Sequence, residues 1–173
     1  MCQDTAFDRG FMKHYSRLLI MALFMLIGVS ANANARSCYS AQEAAAEQGI
    51  RIHSELMVIG LNCMNMRFTD GTNLYLKYKR FTEKNHGLFS GFESTMLTYY
   101  RNQGISNPEG ELDTLRTELA NSISDSAVQM RPDKFCNQFA NRIFYADSMG
   151  RQELRQWAST IYDTHPVSRP LCR

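Results

Sequence analysis

Cysteines at positions 38, 63, 136 and 172 lie downstream of an N-terminal segment with the layout of an export signal. Together these features restrict what the chain can become more than any other. Lys13 and Arg17 supply a basic start, the run from Leu18 to Val29 is apolar, and Ser30-Ala-Asn-Ala-Asn-Ala35 ends it in small residues. Basic, apolar and small-x-small in that order describe a secretory signal peptide. The apolar run is shorter than the roughly 20 residues a spanning helix needs. Cleavage is expected after Ala35, and Met12 offers an alternative start, so residues 1–35 read as extension and leader and residues 36–173 as a single domain. Losing three cations (Arg9, Lys13, Arg17) and two anions (Asp4, Asp8) takes the formal charge from +2 to +1.

An even number of cysteines in an exported chain reads as a disulfide framework. Four allow three connectivities. Cys63 continues the apolar stripe of Leu56, Ile59 and Met66, and Cys136 lies on that of Phe139, Ala140 and Ile143, so both face a core. Cys38 and Cys172 flank the periodic segments. The expected pairs are therefore Cys63 with Cys136 and Cys38 with Cys172. No Cys-x-x-Cys spacing favours redox or metal chemistry.

Between the cysteines the apolar residues recur at helical spacing, with no sustained alternation of period two. The expected architecture is all-α, a compact bundle of five or six helices held by two disulfides. Ser40-Ala-Gln-Glu43 is a capping box for the first helix. A second helix is expected from about Thr72 to Asn85, stopped at Gly87. Ser90-Gly-Phe-Glu93 reads as a capping box that opens a third. Asn107-Pro108 starts a fourth carrying Leu112, Leu115, Leu119 and Ile123. Pro132 opens a fifth, and Leu154, Trp157 and Ala158 mark a sixth. The composition, 44% apolar and 21% charged, suits a globular domain, and the near-balanced charge argues against a nucleic-acid partner.

Three candidate sites emerge. Lys77, Arg80 and Lys84 share one face of the second helix and form a contact for an acidic partner, either an envelope protein or an anionic envelope polymer. A solvated helix face is the alternative reading of the same residues. His53, Met57 and Met64 would offer a copper ion an imidazole and two thioethers, although Met is also a common filler of cores. Glu93-Ser94, within Gly91-Phe-Glu93-Ser94, resembles the dipeptide at the catalytic glutamate of lytic transglycosylases, exported helical enzymes that cut peptidoglycan. That resemblance implies Glu93 as a general acid; the glycine-rich downstream segment of those enzymes has no counterpart in this chain. The leading expectation is a non-catalytic binding protein of the bacterial envelope, periplasmic or secreted. It is expected to need no cofactor and to touch membrane only through its leader.

Overall fold

The computed structural model describes residues 37–68 and 70–172; the expected leader and its expected cleavage point lie outside the described residues. Among the described residues, five helices follow in order: α1 (Ala41–Asn62), α2 (Leu74–Asn102), α3 (Pro108–Gln129), α4 (Pro132–Ser148) and α5 (Arg151–Ser159). Among the described residues there is no strand, only isolated bridges at Tyr39–Leu171 and Tyr162–His165. No helix among them is long and apolar enough to cross a membrane.

α1 is the central element and packs against the other four helices. Its first turn is closed by the capping box: the Glu43 amide donates to Ser40 Oγ at 3.3 Å and the Ser40 amide to Glu43 Oε2 at 2.6 Å. Two of its glycines admit α2. A Cβ on Gly49 would collide with the Phe92 ring, and one on Gly60 would lie 3.2 Å from Tyr78 Cβ.

α2 differs from the sequence expectation. The stop at Gly87 and the restart at Ser90 are absent, and one helix of 29 residues runs through both. Interior glycine costs about 1 kcal/mol of helix propensity. Leu88 and Phe89, directly after Gly87, are buried, and each buried side chain of that kind contributes about 1.5–3 kcal/mol. Burial therefore outweighs the local stop. Ser90 Oγ donates to the Gly87 carbonyl at 3.4 Å instead of capping. The helix ends at Gly104, which adopts the left-handed φ of 74° that Gly87 does not. There the Ile105 amide donates to Tyr100 O at 3.1 Å and the Gly104 amide to Arg101 O at 3.0 Å, the double bond pattern of a Schellman end.

The core has two parts. One surrounds the Cys63–Cys136 disulfide, with Leu56, Ile59, Phe81, Phe89, Phe135 and Ile143. The other joins Tyr39, Ile50, Met96, Tyr99, Leu112 and Leu115. Phe92 packs against both.

The proline-containing tail after α5 lies along α1 as a strap. Cys38–Cys172 ties its end. The Tyr39 amide donates to Pro170 O and the Cys172 amide to Tyr39 O, both at 2.8 Å. A non-repetitive backbone needs partners for its polar groups, and a buried polar stripe on α1 supplies them. Fully buried Glu47 accepts from the Ser168 amide at 2.8 Å and from Ser168 Oγ at 2.5 Å. Gln48 Nε2 donates to His165 O at 2.5 Å and Arg51 to Pro166 O at 2.9 Å. One turn on, Glu55 pairs with Arg142 of α4 at 2.5 Å.

Candidate functional site

Lys77, Arg80, Lys84, Gly87 and Gly91 are spaced three, four, three and four residues apart. In one unbroken helix that spacing aligns them in a single stripe. The stripe begins cationic and ends in glycine. Its glycine half opens into a groove of about 510 Å³ between the start of α1, the middle of α2 and α5. Ala41 and Ala45 form the α1 wall, Leu88 and Phe92 the apolar floor, and Arg155 stands on the α5 side. A Cβ built on Gly87 or Gly91 would meet nothing within 4 Å. Neither glycine is needed for packing within this chain, in contrast to Gly49 and Gly60.

The cations of the stripe fall into two groups. Lys77 is not part of a free basic face: its Nζ lies 2.8 Å from Asp147 of α4 and 5.3 Å above the Phe144 ring. Arg80 and Lys84 are exposed, as is Arg155. None of these three forms an ion pair among the described residues. Arg155, a residue to which no sequence pattern pointed, lines the groove from α5.

Glu93 stands on the side of α2 away from this groove. It is not a cap; its carboxylate meets Arg116 of α3 at 2.5 Å, and Arg116 also holds Asp113 at 2.7 Å. The charge of Glu93 is therefore matched by a neighbouring helix. His53 lies close enough to this pair to sense both charges. Its ring stacks on Phe89 at 4.6 Å between centroids, and its Nε2 is 3.0 Å from the Tyr78 hydroxyl. Burial is the largest influence on His53 and holds its pKa below the ordinary 6.5, with Glu93 opposing and Arg116 assisting. Of the two thioethers, Met57 packs partly buried against the core and Met64 lies exposed beyond the end of α1. Among the described residues, no group of three or more His, Cys, Asp or Glu side chains is arranged to hold a metal ion.

Comparison with protein-family models, with curated proteins and with solved structures finds no match to this chain. The functional reading therefore rests on the chain's own geometry.

Proposed function

We propose that this protein is an exported, non-catalytic interaction module of the bacterial envelope that docks an acidic helix of a partner protein in the α1–α2–α5 groove. Export is supported by the leader pattern and by the two disulfides, which persist in oxidising compartments. The observation that carries the docking reading is the glycine pair in the interior of α2. Two residues that each cost the helix about 1 kcal/mol line an open concavity whose opposite wall is also small, Ala41 and Ala45. Helices pack with axes 8–10 Å apart, the closer distances requiring small side chains at the contact. Arg155 lines the groove, and Arg80 and Lys84 precede Gly87 on the same α2 stripe, all three without an ion pair among the described residues, so a helix with acidic residues along its edge complements it.

The test is affinity capture from envelope extract with the parent protein and with an Arg80→Gln/Lys84→Gln/Arg155→Gln variant, at low and high salt. The expected result is one partner, recovered by the parent, reduced at high salt, where screening shortens to about 3 Å at 1 M, and lost with the variant. Thermal stability should be nearly unchanged, because exposed charges contribute about 0–1 kcal/mol each. Equal recovery by both proteins at every salt concentration would overturn the assignment. Retention of a polysaccharide or teichoic polymer instead of a protein would replace the acidic helix by an anionic polymer.

A further inference from the structure

α5 presents two opposite faces. Arg155 and Ser159 line the groove. Glu153, Gln156, Trp157 and Thr160 are spaced three, one and three residues apart, which places them together on the other side of the helix axis. There they meet Tyr145 and Ser148 from the last turn of α4 and Tyr162 from the tail, around a second concavity of about 390 Å³. Small-molecule sites typically enclose about 300–1,000 Å³.

The aromatic residues of this lining are distinctive in their exposure. Tyr145 and Tyr162 are 62% and 50% exposed, and every other aromatic side chain of the described residues is buried or half-buried. The two open rings of the fold, carried by different elements, thus border one concavity, and the chain's single tryptophan, half-buried Trp157, stands with them. Tyr145 and Trp157 meet at 68° with centroids 6.0 Å apart. Rings so inclined form a corner. The rest of the rim is polar. Ser148 Oγ donates to Tyr145 O at 2.7 Å and Thr160 Oγ1 to Gln156 O at 2.9 Å, so each hydroxyl has used its hydrogen and keeps lone pairs to accept with. The Glu153 carboxylate accepts from the Gly150 amide at 2.7 Å and has capacity for more. Exposed Gln156 offers both a donor and an acceptor. Among the described residues, no Lys, Arg or His lines the concavity.

We propose that this concavity binds a neutral glycan, its pyranose units lying against Tyr145, Trp157 and Tyr162 and its hydroxyls bonded to the Glu153, Gln156 and Thr160 rim. One face of a pyranose is lined by weakly positive C–H groups, which suit the negative face of an aromatic ring. Its hydroxyls both donate and accept, and a rim rich in acceptors with one amide takes both roles. An anionic polymer would find no cation to neutralise it, and Glu153 would oppose it. A protein partner would also use Tyr and Trp, but within an apolar surround that excludes water. Here every exposed non-aromatic residue of the lining is polar. The site lies on the far side of α5 from the groove and stands whether or not the groove docks a partner.

The experiment is titration of the purified protein, disulfides intact, followed by tryptophan emission and by calorimetry. Trp157 is the sole tryptophan, so its emission reports this site alone. The probes are triacetylchitotriose, cellotriose and maltotriose as neutral glycans, sorbitol as a polyol with no ring face, and tri-galacturonate as an anionic glycan. Saturable binding of at least one neutral trisaccharide is expected, with none of sorbitol and weaker binding of tri-galacturonate. Tyr145→Ala and Tyr162→Ala should each bind roughly three- to tenfold more weakly, the loss of one ring contact, with the Tm of the parent. The Arg80→Gln/Lys84→Gln/Arg155→Gln variant should bind the sugar as the parent does, whatever it does to partner capture. The proposal fails if no neutral trisaccharide binds, if sorbitol or tri-galacturonate binds as well, or if both tyrosine variants keep their affinity. Loss of a captured envelope protein in the tyrosine variants, with no sugar bound by the parent, would make this surface a protein interface instead.

Discussion

Replacing Gly87 and Gly91 by alanine separates the two reasons a helix can contain glycine. Neither residue has a positive φ, so alanine can adopt the same backbone. Neither would place its new methyl within 4 Å of another atom. Each substitution should then recover the full propensity difference, about 0.8–1 kcal/mol, and the pair about 2 kcal/mol. For a domain of this size that corresponds to a rise in Tm of roughly 6–8 °C. Gly49→Ala is the internal control. Its methyl would strike the Phe92 ring, and overpacking of that kind costs about 1–3 kcal/mol, so its Tm should fall. Thermal unfolding by circular dichroism, backed by urea midpoints, measures all three. Filling the groove further with Gly91→Leu should abolish partner capture without unfolding the protein. A double alanine variant that is less stable than the parent would refute the reasoning, because α2 would then need its glycines for folding and their placement beside a groove would say nothing about a partner.

Two further outcomes follow from the strap and from His53. Removing the Cys38–Cys172 bond with paired serines reopens a loop of 134 residues, for which the chain-entropy relation assigns about 5 kcal/mol; the urea midpoint should drop steeply, and an unchanged midpoint would show that the polar contacts of Glu47, Gln48 and Arg51 alone hold the tail. Burial lowers the His53 pKa in the folded protein, so the unfolded chain takes up the proton first as pH falls below about 6.5. The stabilisation that His53 contributes is complete above that pH and is lost as pH falls through its lower folded value. Urea midpoints measured from pH 7.5 to 4.5 should therefore show a slope that His53→Gln flattens, whereas identical slopes would mean that another group governs it.

The helical class was legible because apolar residues recur every three or four positions from Ile50 to Ala158, and periodicity is the strongest local signal a chain carries. The Ser40–Glu43 and Asn107–Pro108 starts were legible for a similar reason: a cap is chemistry between residues three apart. The boundary at Gly87–Ser90 misled because it carries the same chemistry, and only the burial of Leu88 and Phe89 against α1 decides otherwise. Lys77 could not be separated from Arg80 and Lys84, since its partner Asp147 is 70 residues away. The α1 stripe of Glu47, Gln48, Arg51 and Glu55 has the composition of a solvent face, and the tail that covers it has no periodicity to mark it as a cover.

The continuity of α2 is what gives these local features a common frame. The three–four spacing from Lys77 to Gly91 aligns those residues only if no break intervenes; a stop at Gly87 would have rotated Gly91 away from Arg80 and Lys84. The same continuity carries the chain on to Tyr99 and Tyr100, so one helix builds both the groove and the tyrosine cluster that packs around Tyr39.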